Sequence, residues 1–291
     1  MPSIYALFLC GWATMALLMI GTMVNDLLRA LLVHGKVRKD TVFAHHWYDM
    51  LLRLELKKSG WTWFYLAGTI YNLAIAATLT FWPTHPTVQV ALRWLQSASG
   101  DDMTSVRIRD EVTLVIGLLG VQDLRRFLES VFVTEFGNST MHIALLIAGL
   151  IHYLGIAPSS LSDPASIAGS SSSLTLVSPT LWIGLALFVF GTYHQWKCNT
   201  MLAKQKRDSG YRHVVPRGDW FDVVRCPLYS AELLIYLAFV VIAGTQHTMV
   251  LVVFLWVLLN QSICAKYQSD WYEQKFRGEQ LVRWVLIPGL W

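Results

Sequence analysis

Charged residues are scarce in this sequence, because only 14% of its 291 residues are Asp, Glu, Lys or Arg. Soluble domains usually contain about 25% charged residues, so this scarcity argues against a soluble protein. The four cysteines fall singly, without CxxC spacing, and indicate neither a metal site nor a disulfide framework. The net charge is only +4, and we expect no nucleic-acid partner.

Long apolar runs occupy much of the chain, which is 54% hydrophobic. Seven of them are long enough to cross about 30 Å of hydrocarbon. They cover residues 3–24, 62–82, 112–134, 140–157, 179–201, 228–246 and 247–265. The first lacks a basic lead-in and is too long for a signal-peptide core, so we interpret it as a retained span. The sequence predicts an all-α polytopic membrane protein with seven transmembrane helices in one membrane domain, residues 1–291.

Lys and Arg are distributed unevenly among the connections between these runs. The connection after the first span and the region after the fifth each hold seven, whereas the connection after the fourth holds none. Cytosolic loops are enriched in Lys and Arg, so the N-terminus is expected in the lumen and the C-terminus in the cytosol. The Ser-rich segment Ala157–Ser178 is interpreted as a flexible linker on the non-cytosolic side.

A polar block at residues 191–232 stands between the fifth and sixth spans. Gln195 and Asn199 are four residues apart and therefore share one helix face. Basic residues follow them: Lys204, Lys206, Arg207, Arg212 and Arg217. Arg and Lys recognise phosphate oxygens, so the block predicts binding of a phosphate-bearing cofactor. The alternative is a basic cluster that only marks the cytosolic side, beside acidic lipid.

Three further side chains have two interpretations each. Glu232 lies about one turn inside the sixth span, where an acid is costly and indicates function, unless it pairs with Arg225 or Lys266. Asp219 follows a glycine and either caps a short helix or contacts a cofactor ribose. Tyr272, in the C-terminal tail, either donates to a phosphate or lies at the membrane interface.

Polar residues also interrupt the third predicted span. Gln122, Arg125 and Glu129 follow i, i+3, i+7 spacing and lie on one helix face. Buried Gln and Arg inside a span indicate a polar chamber. Ordinary hydrogen bonds between helices are the alternative.

Four segments occur in an order and spacing that resemble the steroid 5-alpha-reductase family, and within it the polyprenol reductase branch. They are GTYHQWKCNTMLA, VPRGDWFDVV, CPLYSAELLIY and LLNQSICAKYQSDWYEQKF. The segment QDLRRFLESVFVTEFGNSTMHI in the third span adds to the resemblance, which covers roughly residues 50–291. Leu228, Ser269 and Trp63 depart from it, since the family usually has Asn or His at the first position and His at the other two.

The resemblance implies an NADPH pocket in residues 179–291, opening to the cytosol, and a substrate chamber in residues 50–157. It implies a multi-pass protein of the endoplasmic reticulum membrane, surrounded by membrane lipids. No obligate protein partner is evident from the sequence. The candidate catalytic residues are Gln122, Arg125 and Glu232. The candidate cofactor-binding residues are Gln195, Asn199, Lys206, Arg207, Asp219, Trp220, Tyr229, Glu232 and Tyr272.

The implied reaction is NADPH-dependent reduction of the α-isoprene double bond of a long-chain isoprenoid, polyprenal or polyprenol, in dolichol synthesis. Hydride adds readily to an alkene only when a conjugated carbonyl can accept the electrons, which favours the aldehyde. Gln122 is then the expected donor to the carbonyl oxygen, helped by Arg125 or a water.

Three alternatives remain at this stage. One is a steroid 5-alpha-reductase or another sterol double-bond reductase of the same fold. Another is an isoprenylcysteine-type membrane methyltransferase, because Arg225, Pro227, Tyr229 and Glu232 come near its pattern. The third is a transporter or receptor without enzymatic activity, in which the basic block only sets the topology.

Overall fold

The computed structural model describes residues 3–33, 53–96, 105–168 and 178–291, and this part of the chain is mostly helical. The helices are α1 (Ile4–Gly21), α2 (Asp26–Leu32), α3 (Trp61–Phe81), α4 (Pro86–Leu95), α5 (Asp110–Phe132), α6 (Ile143–Ser162), α7 (Pro179–Asp208), α8 (Pro227–Ala243) and α9 (Thr248–Lys275). Each of the seven predicted spans overlaps one of the longer helices, but α7 and α9 continue past the predicted ends to Asp208 and Lys275. The short helices α2 and α4 were not predicted.

Four helical segments are long and apolar enough to cross a membrane: α1, Lys58–Phe81, α6 and α9. Helix α8 is apolar but shorter. Helices α5 and α7 are long but carry polar and charged side chains, which lower their hydropathy. The structure therefore supports a mostly helical membrane protein.

A small β-sheet corrects the all-α prediction. Strands β1 (Glu55–Lys57) and β2 (Thr140–His142) pair antiparallel, with Glu55 opposite His142. The fourth predicted span consequently begins as a strand, and its helix starts at Ile143. Local patterns did not indicate this pairing because it joins segments more than 80 residues apart.

Part of the Ser-rich segment is helical, which corrects the linker prediction for those residues. Helix α6 runs through Pro158 to Ser162. The hydroxyls of Ser159 and Ser160 each donate to the Ile156 carbonyl at 2.9 Å, so both are satisfied although buried. Residues 169–177 of the predicted linker lie outside the described residues.

Glycines bring α7 close to α8. A Cβ at Gly184 would lie 2.4 Å from Cγ1 of Ile242, and one at Gly191 would lie 3.0 Å from Cγ1 of Ile235. Small residues of this kind let two helix backbones approach closely. Because Gln195 follows Gly191 by one turn, its side chain meets the first turns of α8.

Candidate active site

A buried cluster of polar side chains joins α5, α7 and α8. We call it the polar centre, and its members are Gln122, Arg125, Glu129, Gln195, Asn199 and Glu232. Gln122 Nε2 donates to Gln195 Oε1 at 2.9 Å, and Arg125 Nη2 donates to Gln122 Oε1 at 2.9 Å. Arg125 also donates to Gln195 Oε1. The structure thus brings together Gln122 and Arg125, which the sequence placed on one face of the third span.

Gln195 connects this cluster to α8. Its Nε2 donates to a carboxylate oxygen of Glu232 and, at 3.3 Å, to the Leu228 carbonyl. The predicted ion pair of Glu232 with Arg225 or Lys266 is not seen, because those cations pair with Glu273 and Asp270 instead. At Leu228 the backbone carbonyl enters the polar centre where the resemblance led us to expect a polar side chain.

Glu129 has a larger structural role than the sequence indicated. Its carboxylate accepts from Arg125 and from Arg126, and Asn199 Nδ2 donates to its Oε2 at 2.9 Å. Its exposed fraction is 3%, so two arginines share one buried carboxylate. The helical spacing put Glu129 on the correct face. The contact with Asn199 of α7 has no signal in the local sequence.

A second buried pair, missed from sequence, lies beside the polar centre. Asn72 Nδ2 on α3 donates to Asp123 Oδ2 at 2.8 Å and to the Tyr153 carbonyl at 3.2 Å. Both Asn72 and Asp123 are fully buried. A Cβ at Gly68 would lie 2.8 Å from the Asp123 carboxylate, so a glycine leaves the room that this carboxylate needs.

Of the basic residues at the end of α7, Lys206 and Arg207 contact Glu135, whereas Lys204 lines a separate groove. Lys206 Nζ donates to the Glu135 carbonyl, and Arg207 pairs with the Glu135 carboxylate at 2.9 Å. Tyr211 donates to the same carboxylate at 3.2 Å. These hydrogen bonds, led by the one from Arg207, hold the pKa of Glu135 below its ordinary value. Arg207 and Tyr211 therefore already bind an anionic group of the protein itself, the Glu135 carboxylate.

Asp219 and Trp220 begin a 3-10 turn, Asp219–Asp222, between α7 and α8. The Asp219 carboxylate accepts from His194 Nδ1 and Lys197 Nζ, each at 2.9 Å, and Trp220 stacks on His194 at 4.5 Å. Burial raises the pKa of Asp219, but the hydrogen bonds from His194 and Lys197 outweigh it and lower the pKa to about 2. Asp219 therefore ties the turn to α7 and does not cap a helix, which corrects that alternative.

Tyr272 lines a cavity beneath this turn, together with Phe221 and Arg225. Pro216 and Phe221 also border an open groove of about 530 Å³, whose polar lining includes Lys204 and Arg217. The other lining residues of the groove are Met201, Gln205, Asp208 and Ser209.

Tyr229, another candidate for cofactor binding, packs against the main hydrophobic core. The candidate cofactor residues thus occupy separate places. Gln195, Asn199 and Glu232 belong to the polar centre, whereas Tyr272 lies beside the groove.

Comparison with known proteins gives the relationship. A family described as 3-oxo-5-alpha-steroid 4-dehydrogenase matches residues 167–291. Polyprenal reductase of Xenopus tropicalis is 31% identical over 255 residues, which cover 83% of this chain and 80% of that protein. The chain belongs to the steroid 5-alpha-reductase family. Two further relatives are polyprenal reductase 2 of Oryza sativa subsp. japonica, 32% identical over 59% of this chain and 56% of its own, and polyprenal reductase of Homo sapiens, 29% identical over 61% and 59%.

As a member of the steroid 5-alpha-reductase family, the protein is a reductase that acts on a carbon–carbon double bond. The family implies a nicotinamide cofactor. Its matched region contains every candidate cofactor-binding residue but leaves out Gln122 and Arg125. The chain itself fits a dinucleotide, because the groove at the end of α7 is open and carries Lys204 and Arg217, whose cations match phosphate charge.

Proposed function

We propose that this protein reduces the α-isoprene double bond of polyprenal with NADPH, in the synthesis of dolichol. One observation carries the proposal. The hydrogen bond of 2.9 Å from Gln122 to Gln195 joins the polar residues of α5 to the half of the chain that matches the reductase family. Substrate-side and cofactor-side candidates therefore meet at one buried place.

The polar centre supplies hydrogen-bond donors for the substrate carbonyl. Gln122 Nε2 carries two hydrogens, and Gln195 accepts one of them. The second is available for the carbonyl oxygen of a bound enal, on which negative charge develops during reduction. The Arg125 guanidinium holds Gln122 by its oxygen and so fixes which edge of the amide donates. Donors fixed in advance at a developing oxyanion lower the barrier.

When bound, a reduced nicotinamide would supply the hydride for the β-carbon of the enal. Glu232 and Gln195 stand where the family resemblance puts cofactor contacts, and the bond between them orients the Gln195 amide. The polar centre is buried, so bulk water is largely excluded from the reacting atoms. A polyprenol has only a hydroxyl oxygen, which is not conjugated with the double bond and cannot take up this charge. The chemistry therefore supports the aldehyde as substrate.

The choice of NADPH rests on the basic residues at the end of α7. Lys204 and Arg217 line the groove, and Arg207 already binds a carboxylate. We assign the additional ribose phosphate to this region, with the phosphate displacing Glu135 from Arg207. Tyr272 lines a second cavity that shares Pro216 and Phe221 with the groove, and Asp219 and Trp220 directly precede Phe221. These three residues are proposed to cover the nucleotide.

Seven membrane crossings complete the proposal. The polar centre then lies among spans, with the N-terminus in the lumen and the cofactor groove at the cytosolic ends of α7 and α9. The distribution of Lys and Arg supports this orientation. Location in the endoplasmic reticulum, within membrane lipids and with a long-chain isoprenoid as the small-molecule partner, follows from the relationship to polyprenal reductases.

The test uses purified protein with NADPH and either polyprenal or polyprenol. We expect saturation of the α-isoprene unit from the aldehyde and little from the alcohol. An enone steroid, offered in parallel, tests the second candidate substrate, which the name of the matching family favours. Turnover of the steroid with none of polyprenal would overturn the proposed substrate. Two matched variants separate the possible effects. Gln122→Leu removes the amide group, whereas Gln122→Asn keeps the amide on a side chain that is one methylene shorter.

A further inference from the structure

Three aromatic side chains form a hydrogen-bonded chain outside the polar centre. Trp256 Nε1 on α9 lies 3.1 Å from His152 Nδ1 on α6. His152 Nε2 lies 2.9 Å from the hydroxyl of Tyr236 on α8. Tyr236 is 2% exposed and is among the largest fully buried side chains described. The chain thus connects three helices and ends on a buried phenol.

The donors and acceptors in this chain follow from chemistry. An indole N–H can only donate, so His152 Nδ1 must accept from Trp256. A neutral imidazole then carries its hydrogen on Nε2, which donates to the Tyr236 oxygen. The Tyr236 hydroxyl hydrogen is left to donate elsewhere. Within residues 3–33, 53–96, 105–168 and 178–291, no hydrogen bond uses it.

Tyr236 lies next to the polar centre. It follows Glu232 by four residues on α8, so both side chains occupy one helix face. Glu232 is itself a member of the polar centre, through its hydrogen bond with Gln195. The ring of Tyr153, whose carbonyl accepts from Asn72, packs against His152 with centroids 4.9 Å apart. The Tyr236 side chain therefore lies beside the polar centre, in which Gln122 would hold the substrate carbonyl.

We propose that Tyr236 is the proton donor to the α-carbon of the reduced enal, and that His152 and Trp256 position its hydroxyl. This rests on the proposed function, whose carbonyl chemistry leaves a carbanion equivalent, an enolate, to be protonated. The inference supplies a role for a buried hydroxyl hydrogen that otherwise has no acceptor in the described structure.

Hydride addition at the β-carbon brings two electrons and breaks the carbon–carbon π bond, which leaves an enolate. The Tyr236 O–H bond breaks and a C–H bond forms at the α-carbon, giving the saturated aldehyde. The phenolate that remains accepts the Nε2–H of His152 as a hydrogen bond. It regains a proton from solvent water once the product has left.

The experiment uses the full-length enzyme with polyprenal and NADPH in D₂O, with immediate borohydride reduction of the product to prevent exchange at the α-carbon. Wild-type protein should place one deuterium on a single face of that carbon. Tyr236→Phe should lower kcat by about 100-fold or more, the size expected for loss of a general acid, without changing NADPH affinity. The product that this variant still forms should be a mixture, with the deuterium on either face of the α-carbon.

Tyr267→Phe is the matched control. Tyr267 is also buried, and its hydroxyl lies 2.9 Å from Thr22 Oγ1, at a place away from the polar centre. The Tyr267→Phe enzyme should keep the wild-type kcat and place deuterium on the same single face of the α-carbon. If Tyr236→Phe does not fold, Trp256→Phe serves as the test. It keeps an aromatic ring but removes the N–H that donates to His152 Nδ1, so the tautomer of His152 is no longer fixed. It should lower kcat about tenfold and change the solvent isotope effect on kcat at unchanged KM.

Two results would overturn the inference. One is a folded Tyr236→Phe enzyme with kcat within about threefold of wild type and deuterium still on one face. The other is a Trp256→Phe enzyme with an unchanged solvent isotope effect. Absence of turnover by wild-type protein would instead reject the proposed function, so the two failures are distinguishable.

Discussion

Glu129 provides the clearest stability prediction, because one buried carboxylate serves two arginines. In Glu129→Leu, Arg125 and Arg126 lose their carboxylate while remaining largely buried, with 16% of each side chain exposed. Removing one partner of a buried ion pair typically costs about 3–5 kcal/mol. Asn199 loses an acceptor as well, although Thr134 still accepts from it at 3.2 Å. We expect a loss of about 3–5 kcal/mol in unfolding free energy.

The conservative change Glu129→Gln should cost less. Its amide oxygen can still accept one hydrogen bond, so the expected loss is about 1–3 kcal/mol. Glu135→Gln is the matched control, since it also neutralises a glutamate paired with an arginine. That pair is at the surface, with half of the Arg207 side chain exposed, and should contribute little.

The measurement is equilibrium unfolding of the purified protein in mixed detergent and SDS micelles, followed by tryptophan fluorescence. The loss of unfolding free energy should be largest for Glu129→Leu, smaller for Glu129→Gln and smallest for Glu135→Gln. If Glu129→Leu were as stable as the Glu135 control, Glu129 would not be the buried partner of both arginines, and the account of the polar centre would be wrong.

The remaining predictions concern packing, pH and cofactor choice. Gly184→Ala should destabilise the protein by about 1–3 kcal/mol in the same unfolding assay because its Cβ would overlap Ile242, whereas Gly11→Ala, with open space around it, should not. The pKa of Asp219 is lowered to about 2, so its contribution to stability is present above pH 4 and should be lost as pH falls from about 4 to about 2. Asp219→Asn should remove this part of the pH dependence of the thermal midpoint, and an unchanged profile would contradict the assignment. Lys204→Ala should weaken NADPH binding more than NADH binding in a fluorescence titration, and equal losses would argue against a nearby ribose phosphate.

Much of the helical arrangement was predictable because it depends on local pattern. Apolar runs of membrane-spanning length located the long helices, and i, i+4 spacing put Gln195 and Asn199 on one buried face. The i, i+3, i+7 spacing did the same for the third span. Glu232 stood out because an acid inside an apolar run needs a partner, although the partner proved to be Gln195 and not a cation.

What the sequence could not give were contacts between distant segments. Glu129 meets Asn199 across 70 residues, and Asn72 meets Asp123 across 51. No spacing rule encodes such pairs, since they depend on how the helices pack. The Ser-rich segment was misjudged for a related reason. Composition predicts a linker, but burial lets serine hydroxyls bond to the carbonyls of their own helix.

Transfer of label from the cofactor to the substrate would show whether hydride is delivered to the β-carbon of polyprenal. Purified protein is incubated with polyprenal and NADPH carrying deuterium at both C4 positions of the nicotinamide, and the product is analysed by mass spectrometry and NMR. We expect a saturated α-isoprene unit with one deuterium on the β-carbon, and much less of this product from Gln122→Leu. Failure to form the saturated product, or a saturated product without deuterium at the β-carbon, would contradict the proposed function.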